Sequence, residues 1–165
     1  MMSDGGAAVA TPAPDAVVRE VRVAARPETV FPFFIDPAKM TLWKGVEAEL
    51  DPRPGGIYRV DVTGREVARG EYVEVVPNRR VVFTWGWEGA GSPLPPGAST
   101  VEVELIPDGD GTIVRLTHRD LPAEAQGAYA EGWEHFLPRL AAAASGADPG
   151  PDPWATQRAA NQAKE

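Results

Sequence analysis

The stretch STVEVELIPDGDGTIVRLTH, residues 99–118, decides the fold class. Apolar residues at every second position from Val101 to Leu105 alternate with glutamates, which is the period of two of an antiparallel strand with one buried face. The PDGDG in the middle is typical of a hairpin turn, and residues 112–118 then alternate again, with His118 on the apolar face. The stretch therefore predicts two neighbouring antiparallel strands whose apolar side needs a cover.

Strand patterns also precede this hairpin. Alternating or β-rich segments, separated by turn sequences such as PNRR, occupy residues 17–23, 46–51, 56–63, 68–76 and 81–87. Together with the hairpin they predict an antiparallel sheet of six or seven strands.

Two short helices are predicted between the first strand and the second. Residues 26–35 carry Pro27 at a first helical position, and Pro32 limits this helix to a short or kinked one. Residues 36–43 predict another helix, for which Asp36 is a suitable N-cap.

A long C-terminal helix is predicted at residues 121–144. Its apolar stripe at helical spacing consists of Tyr129, Trp133, Phe136, Leu137 and Leu140. Pro138 is expected to kink the helix near Glu134.

These elements predict an α+β fold of the helix-grip kind, in which a curved antiparallel sheet wraps around the long helix and leaves a cavity between them. We expect a disordered tail at residues 1–16, one domain at residues 17–145 and a Pro-rich tail at residues 146–165. Trp154 lies in that last tail. The sequence leaves three alternatives open for it: folding back over the domain, docking on a second copy in a homodimer, or disorder.

The segment RPGGIYRV, residues 53–60, resembles a phosphate-binding loop at first sight. Phosphate loops place their glycines between a strand and the start of a helix, whereas Gly55 and Gly56 are followed by a strand pattern. We therefore expect a tight turn between two strands and no nucleotide.

Composition excludes several classes of function. The net charge of −8 argues against nucleic acid and against an anionic membrane surface as partners. The chain has no cysteine, so disulfides and thiolate metal sites are excluded. It has neither a membrane-spanning apolar run nor a signal-peptide pattern, so we expect a cytoplasmic protein.

Four motifs in this order resemble one protein family: DPRPGGIYRV, GEYVEVVPNRRVVFTW, STVEVELIPDGDGTIVRLTHRDLP and EGWEHFLPRLAAAA. Over residues 17–145 the chain is similar to the bacterial homologues of the activator of the Hsp90 chaperone's ATPase. That family lies in the START-like, or SRPBCC, superfamily, whose helix-grip fold is that of the birch-pollen allergen. The resemblance implies a deep apolar cavity but no single reaction.

Nine side chains are candidates for ligand contact on the cavity wall. They are Trp43, Tyr58, Phe83, Trp85, Trp87, His118, Tyr129, Trp133 and Phe136. Each of the aromatic residues among them also suits a simple core position, and Trp43 suits either the cavity mouth or the sheet edge. As a group they favour a bulky hydrophobic or aromatic ligand.

His118 is the one candidate for acid/base catalysis, although a histidine at a strand end is also suited to a purely structural hydrogen bond. His118 and His135, with no carboxylate at ligand spacing, make a poor metal site, and we expect neither a metal nor a cofactor.

Three functions remain open from the sequence. The first is binding or sequestration of a hydrophobic small molecule, without catalysis. The second is an enzyme of the polyketide cyclase or dehydratase kind, which the superfamily contains, with His118 moving protons; a related branch traps reactive antibiotics in the cavity. The third is a chaperone-associated protein-binding module, which the family name suggests.

Overall fold

A curved sheet of seven antiparallel strands forms one side of the molecule. The computed structural model of the chain describes residues 16–89 and 91–155. The strands are β1 (Val17–Val23), β2 (Glu47–Leu50), β3 (Ile57–Asp61), β4 (Val67–Val76), β5 (Arg80–Trp85), β6 (Ser99–Asp108) and β7 (Gly111–Arg119). Their order across the sheet is β1-β7-β6-β5-β4-β3-β2, so the chain runs as a meander from β2 to β7 and β1 closes the far edge. The predicted α+β class and strand number are confirmed.

The alternation that predicted the hairpin is present in the sheet. Along β6 every second side chain from Ser99 to Leu105 is buried, and β7 pairs with β6 so that Val101 lies opposite His118. Glutamates on the other face of β6 pair with arginines of the neighbouring strands, as in the 2.6 Å contact between Arg119 and Glu102. One face of the sheet is therefore core, and the other is charged and solvated.

Two short helices follow β1, as predicted. Helix α1 (Pro27–Val30) passes into a 3-10 turn (Phe31–Phe34) that begins one residue before Pro32, so the expected helix over 26–35 changes type there. Helix α2 (Pro37–Trp43) is capped by Asp36, whose carboxylate accepts a 2.9 Å hydrogen bond from the Ala38 amide.

The long helix α3 (Gln126–Ala144) lies on the apolar face of the sheet, and Trp133, Phe136, Leu137 and Leu140 of its predicted stripe are buried. It begins later than predicted, because Pro122 is extended and only a short 3-10 turn (Ala123–Ala125) precedes it.

Helix α3 remains one element through Pro138. Pro138 and Glu134 lie on the exposed side of the helix, where water can bind the carbonyl group that lacks a helical donor. The kink expected near Glu134 stays a prediction.

The Pro-Gly-Gly segment is a turn between β2 and β3, as predicted. The Gly56 amide donates to the Arg53 carbonyl at 2.7 Å, and Gly55 has a φ of +85° at the position where a type II turn needs it. A Cβ atom on Gly56 would lie 2.0 Å from the Asp51 carbonyl oxygen, so that position has no room for a side chain.

The predicted domain boundaries stay predictions. Residues 1–15 of the expected N-terminal tail and residues 156–165 of the C-terminal tail lie outside the described residues.

Candidate ligand-binding pocket

A pocket of about 480 Å³ lies between α3 and the part of the sheet where β5 ends. Its walls are mainly aromatic and aliphatic. The residues that line it are Lys44, Val62, Thr63, Glu66, Trp85, Trp87, Pro93, Leu94, Pro122, Glu124, Ala125, Ala128, Tyr129, Gly132, Trp133, Phe136 and Trp154. A concave, apolar pocket of this volume is typical of small-molecule sites, which makes it the candidate functional site.

Five of the nine predicted side chains line this pocket. They are Trp85, Trp87, Tyr129, Trp133 and Phe136. The last three follow helical spacing on α3, so one face of the helix presents them together. Strand β5 ends at Trp85, two residues earlier than predicted, and Trp87 pairs with Ala68 only through an isolated bridge.

Tyr58 and Phe83 lie in the core and do not line the pocket. Their rings stack at 4.0 Å, and Tyr72 packs edge-on against both. The Tyr72 hydroxyl donates to the Phe34 carbonyl at 2.9 Å, which ties this cluster to the 3-10 turn. These residues are buried like Trp85, but they belong to the core and not to the pocket wall.

Trp43 also lies outside the pocket lining. Its indole nitrogen donates to the Phe33 carbonyl at 3.1 Å, and its ring meets the Phe34 ring edge-on at 5.6 Å. Trp43 therefore fixes α2 to the preceding turn.

His118 is fully buried in a network of side-chain hydrogen bonds. Ser99 Oγ donates its only proton to the Trp85 carbonyl at 2.8 Å, so the 2.8 Å contact between Ser99 Oγ and His118 Nε2 needs the proton on the histidine. Trp133 Nε1 donates to His118 Nδ1 at 3.1 Å. Both ring nitrogens are engaged, and the network assigns the neutral tautomer with the proton on Nε2.

Burial holds His118 in that neutral form. Desolvation, with a smaller contribution from the nearby Lys44, lowers the pKa of His118 to about 3. The side chain is absent from the pocket lining and joins β7, β6 and α3 from behind the pocket wall.

A second hydrogen bond joins the sheet to α3 at the pocket itself. Trp87 Nε1 donates to the Tyr129 hydroxyl, and both side chains are half-buried. Burial is the main reason that the pKa of Tyr129 is raised, so the hydroxyl keeps its proton at neutral pH and remains a donor.

Lys44 is the functional candidate that the sequence analysis missed. It follows Trp43 at the end of α2, where a lysine would ordinarily reach solvent. The next residue, Gly45, has a φ of +88°, and a Cβ atom there would lie 2.6 Å from Val60 Cγ1. The backbone therefore packs closely against β3 at this point. The Lys44 side chain is buried, with 2% of its surface exposed.

The ammonium nitrogen of Lys44 lies among the aromatic rings of the pocket wall. Nζ is 3.8 Å from the centre of the Trp85 ring, 4.6 Å from that of Trp133 and 5.9 Å from that of Phe136. Within the described part of the chain, this nitrogen has no hydrogen-bond partner. Desolvation lowers the pKa of Lys44 well below its ordinary value.

The segment after α3 folds back along the helix and places Trp154 at the pocket. The Trp154 ring stacks on His135 at 3.8 Å, and a 2.7 Å hydrogen bond joins His135 Nε2 to Asp152. Arg139 holds the segment by donating to the Gly150 carbonyl at 2.8 Å. Of the three alternatives for Trp154, the structure shows folding back over the domain; docking on a second copy stays a prediction.

The family model described as "Activator of Hsp90 ATPase homolog 1-like protein" matches residues 24–145. The chain belongs to this AHSA1-like family. The family lies in the START-like superfamily, as the sequence motifs predicted. No curated protein matches the chain.

Solved structures place this AHSA1-like chain among similar folds. The AHSA1-like protein of Rhizobium etli shares 50% sequence identity, and the match covers 84% of this chain and 87% of that chain, with a TM-score of 0.66. CalU16 from Micromonospora echinospora shares 27% identity over 79% of this chain and 76% of that chain, with a TM-score of 0.64. An HSP90 activator from Plasmodium falciparum shares 25% identity over 76% of this chain and 92% of that chain, with a TM-score of 0.63.

Two further features bear on the class of site in this AHSA1-like chain. Across residues 16–89 and 91–155, no three His, Asp or Glu side chains are grouped so that they could hold a metal ion. None of the helices in those residues combines the length and the apolar character that a membrane span requires.

Proposed function

We propose that this AHSA1-like protein binds a hydrophobic small molecule in the pocket between the sheet and α3. The observation that carries the proposal is the aromatic wall of Trp85, Trp87, Tyr129, Trp133 and Phe136 around a volume of about 480 Å³. Apolar surface removed from water contributes roughly 25 cal/mol per Å² to binding, before the costs of association. Flat aromatic faces favour an aromatic or polycyclic ligand.

The surroundings of His118 favour binding over catalysis at this residue. His118, the candidate acid/base, lies outside the lining and has both ring nitrogens in hydrogen bonds. To accept a proton it would have to give up the bond from Trp133 and carry a buried charge. We therefore propose that the ligand is held without a reaction at His118, and the cyclase alternative receives no support from this network.

Titration with N-phenyl-1-naphthylamine, a neutral aromatic probe that fluoresces in apolar surroundings, tests the proposal. We expect saturable binding of one probe per chain. Gly132 lines the pocket, and a Cβ atom there meets no atom within 4 Å, so Gly132→Leu should fill the pocket and weaken binding about tenfold or more.

Gly127→Leu is the matched control. Gly127 lies five residues earlier on α3, is exposed, has equal room for a side chain and does not line the pocket. This variant should bind the probe as the wild type does. Absence of saturable binding, or equal weakening by both variants, would remove the basis of the proposal.

A second candidate function is a chaperone-binding module. The family description and the similarity to the HSP90 activator from Plasmodium falciparum favour it. Stimulation of the ATPase rate of a purified Hsp90 chaperone by this protein would support it, and an unchanged rate at saturating protein would count against it.

A further inference from the structure

Lys44 is a buried amine without a partner in the wall of the proposed binding pocket. Lys44 and the three aromatic residues around its Nζ atom, Trp85, Trp133 and Phe136, all line the pocket. The described residues provide this nitrogen with no hydrogen bond and no ion pair, although only 2% of the Lys44 surface is exposed. A donor in this state is rare in folded proteins, because desolvation without a compensating bond is unfavourable.

The surroundings of Nζ define what would complete the site. Ring faces attract a cation but supply no lone pair in the position of a hydrogen-bond acceptor. His118, whose pKa Lys44 helps to lower, is neutral and has both ring nitrogens in other hydrogen bonds. The missing element is an oxygen that carries negative charge and enters from the pocket.

We propose that Lys44 recognises an acidic group on the ligand, so that the pocket selects hydrophobic aromatic acids over neutral molecules of the same shape. This inference rests on the proposed binding function and names its ligand class. A carboxylate or the anion of an acidic phenol offers the same anionic oxygen. In the complex the proton resides on Nζ, and the ammonium pairs with that oxygen.

The burial of Nζ favours selectivity. Burial lowers the pKa of Lys44 in the free protein, and an anion beside the nitrogen favours the charged form again. A charge-assisted hydrogen bond in an apolar pocket is stronger than one at the surface. A neutral amide of the same size cannot form this charge-assisted hydrogen bond.

The test compares 2-naphthoic acid with 2-naphthamide, measured by quenching of tryptophan fluorescence. We expect the wild type to bind the acid about tenfold or more tightly than the amide. Lys44→Met should lose that preference through weaker acid binding and keep the affinity for the amide. Lys44→Gln, which keeps a hydrogen-bond donor but no charge, should also lose the preference for the acid. This variant replaces Lys44→Met in the test if the methionine variant does not fold.

Lys39→Met is the matched control. Lys39 lies on α2, five residues before Lys44, with its Nζ 5.2 Å from the Phe33 ring, and it does not line the pocket. This variant should retain the preference of the wild type for the acid.

The outcomes separate this inference from the proposed function. Equal affinities of the wild type for acid and amide, or acid binding unchanged in both Lys44 variants, would overturn the role of Lys44. Binding of N-phenyl-1-naphthylamine without binding of the acid would overturn it while leaving the proposed function in place. If none of the three probes binds, both fail.

Discussion

Lys44 Nζ lies 3.8 Å from the centre of the Trp85 ring, and within the described chain it donates no hydrogen bond. Lys44 directly follows α2, and Trp85 is the last residue of β5. Both residues line the pocket. A lysine here is unfavourable for folding, and we propose that it contributes to ligand binding; the two effects can be measured separately.

Replacing Lys44 by methionine should stabilise the folded protein. Methionine keeps the length and the packing of the side chain but removes the unpaired amine, so we expect a gain of about 1–3 kcal/mol in the free energy of unfolding at pH 7. Because the pKa of Lys44 is lowered in the folded state, the unfolded chain binds more protons, and wild-type stability rises with pH towards the ordinary pKa. The gain should therefore shrink between pH 7 and about pH 10.

Urea denaturation of both proteins over this pH range measures the effect. Lys39→Met, at a partly exposed position of the preceding helix α2, should change stability by less than about 0.5 kcal/mol. A Lys44→Met variant less stable than the wild type would show that the amine has a partner that compensates its burial.

His118 should make the protein sensitive to acid. Its pKa is lowered to about 3 in the folded state, whereas it is about 6.5 in an unfolded chain, so its contribution is complete above pH 6.5 and is lost progressively as the pH falls. Between pH 6.5 and about pH 4 this amounts to about 3 kcal/mol. Replacement of His118 by glutamine, which can still donate to Ser99 and accept from Trp133, should remove that part of the pH dependence.

The measurement is the free energy of unfolding of wild type and His118→Gln at several pH values. Curves that run parallel from pH 6.5 to pH 4 would mean that His118 does not stay neutral in the folded protein.

Trp154 should contribute to ligand affinity more than to stability. Its ring lies at the pocket with 36% of its surface exposed and rests on His135. We expect Trp154→Ala to weaken binding of N-phenyl-1-naphthylamine about threefold to tenfold and to change stability by less than about 1 kcal/mol.

Leu42→Ala controls for the loss of an exposed apolar side chain, because Leu42 is 52% exposed and does not line the pocket. If Trp154→Ala binds the probe as Leu42→Ala does, the C-terminal segment takes no part in the site.

The sequence predicts most of the fold because periodicity is a local property. Alternation from Val101 to Leu105 identifies β6, and the spacing of Trp133 and Phe136 identifies the buried face of α3. The sequence predicts the start of α3 at residue 121, too early, because the extended conformation of Pro122 delays the helix.

The site was predictable only in part, because parity places a side chain on a face of the sheet without saying what covers that face. Phe83 and Trp85 share a face of β5, but Phe83 stacks in the core while Trp85 lines the pocket. The burial of Lys44 depends on the close approach of Gly45 to β3, which no pattern along the chain reports.

The five tryptophans of the chain offer the most direct test of ligand binding in the pocket. Trp85, Trp87, Trp133 and Trp154 line the pocket, whereas Trp43 does not and serves as an internal control. In nitrogen-15 NMR spectra recorded during titration with N-phenyl-1-naphthylamine, the indole N–H signals of the four lining residues should shift and that of Trp43 should stay in place. Saturable binding that leaves the signals of Trp85 and Trp133 unmoved would place the ligand elsewhere and contradict the account.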